Sequence, residues 1–223
     1  MPYPRLIIDL DKIYQNAKIL QKYCSVNNIE LVGVTKLVLG NPKIAQVLKD
    51  AGIEKLGDSR LCNIKKMINN KIPGPFQLLR IPMISELEEA INYVDEILVS
   101  EEQTVLIIEE LAKKYDKNIQ IIFMIDVGDL REGIWYEEAS KKILKLAEKL
   151  TSVNLRGIGT NLGCFGGVLP TTENMKLMVE IKDYLEKKLD KELIISGGNT
   201  VALRLLEIGK LPKEINQFRV GEA

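Results

Sequence analysis

No histidine occurs among the 223 residues. That absence removes Ser-His-Asp and Cys-His catalysis, zincin motifs and ordinary histidine metal sites. Any enzymatic proton must therefore move through Lys, Tyr, Cys, Asp, Glu or a cofactor. An excess of one charge is missing too, since Lys+Arg and Asp+Glu both total 31. Nucleic-acid binders usually carry a basic surplus to neutralise phosphates, so no nucleic-acid partner is expected. No run of 18 apolar residues exists, which argues against a membrane span. The opening Met1–Arg5 passes straight into Leu6-Ile7-Ile8-Asp9-Leu10, without the long apolar core of a signal peptide. Cysteine is sparse: Cys24, Cys62 and Cys164 are odd in number and far apart, neither a disulfide framework nor a metal-ligand spacing. Buried free thiols in a reducing cytoplasm are the simplest reading.

What is present is the mix of a globular protein with a sizeable core, 46% hydrophobic and 28% charged. Eight short apolar runs read as strands: Glu30–Thr35, Lys55–Asp58, Gln77–Leu79, Glu96–Val99, Ile119–Ile125, Asn154–Gly159, Glu192–Ile195 and Ile215–Val220. Amphipathic stretches separate them, as in Ile143-Leu144-Leu146-Ala147-Leu150, with apolar residues three and four apart. Capping signals predict helix starts at Asn41-Pro42, at Ser85 with Glu88 three later, and at Thr172 ahead of Met175. Strands alternating with helices imply parallel pairing through crossovers. Eight such units match a closed α/β (β/α)8 TIM barrel as one domain over residues 1–223, with an open doubly wound sheet as the alternative. An additional helix, Asp11–Tyr23, is placed to cover the flank left bare after the eighth strand.

In such a barrel, chemistry belongs at the C-terminal strand ends. Lys36 ends the first predicted strand, and the apolar Val32-Gly33-Val34-Thr35 before it favours a partly desolvated amine suited to Schiff-base formation. A lysine reaching solvent at the rim is the competing reading. After the seventh strand, Ser196-Gly197-Gly198-Asn199-Thr200 leads into a helix predicted at Val201–Ile208. This is either an anion cradle or an ordinary glycine-rich turn capped by Asn199 or Thr200. Arg219, just before the Gly221 turn, and Arg131, between Gly128 and Gly133, read as site cations or surface ion-pair partners. Asp126 and Asp129 lack the further ligands that a magnesium site needs. Asp58, Glu101, Asp129 and Glu222 are the carboxylates placed to meet a basic substrate, or else solvated rim charges.

Taken in order, Gly33-Val34-Thr35-Lys36, Gly57-Asp58-Ser59-Arg60, Leu79-Arg80-Ile81-Pro82-Met83, Asp126-Val127-Gly128-Asp129-Leu130-Arg131-Glu132-Gly133, Gly159-Thr160-Asn161-Leu162, Gly166-Gly167-Val168, Ser196-Gly197-Gly198-Asn199 and Arg219-Val220-Gly221-Glu222 resemble the alanine racemase N-terminal domain family. The nearest branch is the ornithine-racemase-like group of fold-type III enzymes. The resemblance implies pyridoxal 5'-phosphate as cofactor, amino-acid racemase (isomerase) activity, a small amino-acid substrate and a homodimer. It makes Lys36 the cofactor-bearing lysine and one of two proton carriers. Arg219 would face the pyridine nitrogen and Arg131 the phenolic oxygen. Asn161 stands where many alanine racemases place a histidine against the ring. Thr200, Gly198 and the backbone near Gly221 would hold the phosphate, beside Ser196 and Asn199. The family's second base, a tyrosine from a C-terminal β-domain, has no counterpart here. Beside the racemase reading stand two alternatives: a barrel-only cofactor-binding or homeostasis protein without racemase turnover, and a cofactor-free Schiff-base lyase.

Overall fold

The structure, a computed structural model, describes residues 3, 6–164 and 166–222. Part of the Met1–Arg5 opening lies outside the described residues. Eight strands run parallel: β1 (Glu30–Val34), β2 (Lys55–Asp58), β3 (Phe76–Leu78), β4 (Glu96–Val99), β5 (Ile119–Asp126), β7 (Val153–Gly159), β8 (Ile194–Ser196) and β9 (Gln217–Val220). A two-residue strand, β6 (Ile134–Trp135), pairs only with the end of β5. Around the sheet the order is β4-β3-β2-β1-β9-β8-β7-β5, and pairing of β4 with β5 closes the barrel. An open sheet is thereby excluded. β1 and β5 stand opposite one another, four strands apart in either direction.

Strand periodicity accounts for the two sides of the wall. Ile97, Val99, Ile121, Phe123 and Ile125 belong to the main core beneath the helices, whereas Leu98, Ile122 and Met124 form a separate cluster with Leu79 and Ile194. Further along the interior sits an ion cluster. Glu96 pairs with Lys55 at 3.0 Å and with Arg156, and Glu30 meets the same two cations at 3.1 and 2.8 Å. Burial alone would raise the Glu30 carboxyl, but Lys55, Gln217 and Arg156 hold it below the ordinary range.

The helices α1 (Leu10–Ser25), α2 (Pro42–Asp50), α3 (Leu61–Asn69), α4 (Ile84–Ala90), α5 (Glu102–Tyr115), α6 (Tyr136–Ala147), α7 (Thr172–Leu189) and α8 (Leu203–Glu207) follow the crossover pattern. Asn41 caps α2 by accepting from the Lys43 N–H at 3.0 Å, with Pro42 at the first helical position. Two predicted starts shift. α4 begins before Ser85, because Glu86 reaches back to the Met83 N–H at 3.3 Å. The cap of α7 is Thr171, not Thr172, through its hydroxyl and the Asn174 N–H. The helix predicted at Val201–Ile208 is a 3-10 turn, Thr200–Ala202, followed by the short α8. The additional helix α1 lies over β1 and reaches β9, enclosing an apolar cavity of about 210 Å³ lined by Ala17, Leu20, Leu31 and Val220 among others.

Candidate active site

Thr35 follows β1, and its carbonyl accepts from the Val38 and Gly40 N–H groups, folding Lys36–Val38 into a 3-10 turn over the rim. Leu39 and Gly40 both take positive φ to complete that turn. The Thr35 hydroxyl donates to Asp58 at 2.7 Å, and Asp58 also accepts from the Arg60 N–H and the Asn63 amide. Asp58 is therefore fully buried and committed to fixing the Lys36 turn, rather than open to a substrate. Lys36 is half-buried and has no hydrogen-bond or ion-pair partner among the described residues.

Two adjoining cavities share Lys36, Cys164, Asn199 and Arg219 in their walls. The larger, about 260 Å³, occupies the barrel mouth and adds Ser59, Leu79, Arg80, Leu98, Arg131, Glu132 and Asn161. The smaller, about 80 Å³, lies toward β8 and β9, where Thr200, Val201, Gly221 and Glu222 complete it. A wider hollow of about 680 Å³ at the N-terminal ends of β5 and β7, lined by Lys113, Asp116 and Asn154, is open surface far from this rim.

Arg219 is buried, and its guanidinium donates to the Ser196 carbonyl at 3.3 Å, to the Ser196 hydroxyl and to the Thr160 carbonyl at 2.7 Å. Burial pushes it down to about 10; the Glu132 and Glu96 carboxylates act in the other direction, and it stays charged at neutral pH. Ser196 passes the bond on to Gln217 at 2.5 Å, and Gln217 donates to Glu30 at 2.7 Å. Ser196 thus sits within the wall as a support for Arg219 and lines neither cavity.

A second chain of bonds crosses the mouth. Asn161 donates to Glu132 at 3.0 Å, Asn199 donates to Asn161 at 2.7 Å, and the Asn199 carbonyl oxygen accepts from the Val201 N–H at 2.9 Å. The loops after β5, β7 and β8 are tied together in this way. Gly198, at φ +125°, turns the chain so that Asn199 can cap. Thr200 Oγ1 accepts from the Gly221 and Glu222 N–H groups at 3.5 and 3.3 Å, pinning the last two turns to each other. Gly221 approaches β1 so closely that an added β-carbon would lie 2.9 Å from the Val34 carbonyl oxygen. Arg131 is exposed, lines the mouth and has no partner among the described residues. Asp126 caps its own loop through the Gly128 and Leu130 N–H groups, and Asp129 lies against the Gly166–Val168 segment. Among the described residues no acidic or thiol cluster could hold a metal. The mouth carboxylate is Glu132, which sequence reasoning passed over because it reads as one charge in an acidic-basic loop.

Fold and rim together define a class of closed parallel barrel in which a rim lysine, a buried arginine and an asparagine-threonine turn meet at one end. The chain belongs to the alanine racemase N-terminal domain family, which it matches over residues 8–223. It is 47% identical to a lysine racemase of Thermotoga maritima, covering 100% of this chain and 62% of that one. It is 36% identical to an ornithine racemase of Acetoanaerobium sticklandii, covering 99% and 62% respectively. The chain thus spans about three fifths of the length of these curated relatives. An alanine racemase of Clostridium difficile 630, solved in complex with cycloserine, superposes with a TM-score of 0.74 at 21% identity, over 93% of this chain and 58% of that one. PipY of Synechococcus elongatus, solved with PLP bound, gives 0.76 at 15% identity, over 94% and 97%. These structural likenesses speak for the fold. No helix among the described residues is long and apolar enough to cross a membrane.

Proposed function

We propose that this barrel is the cofactor-binding part of a pyridoxal 5'-phosphate-dependent racemase acting on a basic amino acid, in a cytoplasmic homodimer. The carrying observation is that Lys36, without a partner among the described residues, lines two joined cavities together with Arg219 and Asn199, on the same rim as the Gly197-Gly198 turn. The donor set suits the cofactor: an amine for its aldehyde, a buried guanidinium for its ring nitrogen, an unpaired arginine for its phenolic oxygen, and a small recess for its phosphate. Thr200, Asn199 and the Gly221 backbone line that recess, and Gly198 turns the chain into it. The names of the two curated relatives support lysine or ornithine as substrate.

When bound, the cofactor withdraws electrons from the substrate's Cα and makes its proton acidic. Lys36 Nζ anchors it and carries a proton on one face. Arg219, still cationic and held by Ser196 and Thr160, would face the ring nitrogen as a donor and keep its own proton. Asn161, fixed between Glu132 and Asn199, gives the ring an amide contact, and Arg131 is free to meet an anionic oxygen. Leu79 and Leu98 keep part of the mouth apolar.

Titration of the purified chain with pyridoxal 5'-phosphate, borohydride reduction and peptide mapping tests this reading. The expected adduct maps to Lys36 and vanishes in Lys36→Ala, while circular dichroism stays barrel-like. A stable adduct elsewhere, or retained in that variant, refutes it. Chiral chromatography of L-lysine and L-ornithine incubated with the loaded protein then separates racemase from a cofactor-binding protein without turnover.

A further inference from the structure

We propose that Glu132 receives the ammonium at the tip of a basic substrate's side chain and so sets specificity; this rests on the racemase reading above. The walls of the mouth carry four cationic side chains, Lys36, Arg80, Arg131 and Arg219, against one carboxylate, Glu132. A substrate's α-carboxylate finds cations on several sides there, whereas a side-chain ammonium finds a single acceptor. The other carboxylates near the rim are committed or displaced. Asp58 is buried under three donors, Glu86 pairs with Arg80 at 3.1 Å, Glu101 is exposed at the start of α5 and lines neither cavity, Asp126 caps its own loop, Asp129 lies against Gly166, and the exposed Glu222 belongs to the smaller recess.

Position adds a second argument. Lys36 follows β1 and Glu132 follows β5, on opposite sides of the barrel. One arc between them runs through Ser59, after β2, Leu79 and Arg80, after β3, and Leu98, on β4, all lining the cavity, with Arg80 drawn to Glu86 at 3.1 Å. The other arc carries Arg219, Asn199 and Asn161. A ligand with an apolar stem and a cationic tip, anchored at Lys36, finds methylene-compatible walls along the first arc and a carboxylate at its end. Glu132 uses Oε1 for Asn161, which leaves Oε2 for a further donor. The Asn161 bond also fixes where the carboxylate points, so an arriving ammonium meets an acceptor already oriented.

The test is calorimetric binding of two stable secondary amines, N-(5'-phosphopyridoxyl)-L-lysine and its L-norleucine counterpart, to the apo chain. The two differ only in the terminal ammonium. Wild type is expected to bind the lysine adduct roughly tenfold or more tightly than the norleucine adduct, as a charge-assisted hydrogen bond allows. In Glu132→Gln, which keeps an acceptor oxygen for Asn161, the two affinities are expected to become equal. Equal affinities in wild type, or a lysine preference that survives in the variant, overturn the assignment. Failure of wild type to bind either adduct overturns the cofactor reading itself and takes this assignment with it.

Discussion

Replacing Glu109 with glutamine isolates one charge that holds the barrel's floor. Glu109, on α5, is buried, and its two oxygens accept from the Thr151 N–H (2.9 Å), the Thr151 hydroxyl (2.7 Å), the Ser152 N–H (3.1 Å) and the Val153 N–H (2.8 Å), with Lys113 at 3.0 Å. These contacts organise the entry to β7. Burial by itself would raise the carboxyl, but the donors prevail and hold it at about 2, down from 4.5. The folded state therefore binds the proton less readily than the unfolded chain. The resulting stability is present above about pH 4.5 and is lost as the pH falls toward 2. A difference of this size corresponds to about 3 kcal/mol at neutral pH. Glu109→Gln loses this pH-dependent part and turns an amide N–H toward backbone donors. Urea unfolding of both proteins between pH 3 and 6 checks it: the stability gap is expected to be widest near pH 6 and to narrow by about 1.4 kcal/mol per pH unit below pH 4.5. A gap that stays constant across that range refutes the reasoning.

Two further perturbations follow from the barrel interior. Glu96→Ala strands Lys55 and Arg156 against Glu30 alone and is expected to cost about 3–5 kcal/mol in urea unfolding; a loss under about 1 kcal/mol would show that the cluster is adequately hydrated without it. Gly157→Ala would bring a β-carbon to 2.2 Å from the Ile194 carbonyl oxygen, at the β7–β8 pairing. A loss of about 3 kcal/mol is expected, seen as a melting point lower by roughly 6–10 °C, and an unshifted melt would contradict that packing.

The barrel was legible because its strands are buried on both faces and their apolar runs are short, β-branched and separated by amphipathic stretches. The eight predicted strands overlap the eight found: Lys55–Asp58 and Glu96–Val99 coincide, and no other end is displaced by more than two residues. Helix starts were less legible where the cap is supplied from inside the helix. Glu86 bonding back to Met83 outweighs the Ser85–Glu88 signal, since spacing alone does not say which acceptor reaches a free N–H. The convergence of Lys36, Arg131, Asn161, Asn199, Thr200 and Arg219 was foreseen from strand ends. Two features were not. Ser196 appeared to belong to a glycine-rich anion loop, but strand alternation turns it into the wall, where it serves Arg219. The other is which carboxylate opens to the mouth: three donors within five residues or one strand of Asp58 occupy it, and only closure of the barrel brings Glu132 across the opening from Lys36.

The ion cluster along the barrel axis has an electrical consequence for whatever approaches the opening. Lys55 and Arg156 are matched by Glu30 and Glu96, so those four cancel at short range. At the rim Glu132 offsets part of the Arg219 charge, and Lys36 and Arg131 leave that end with an excess of cations. An anionic molecule drifting near either end is drawn to one of them, which gives a nearly symmetric cylinder a front and a back.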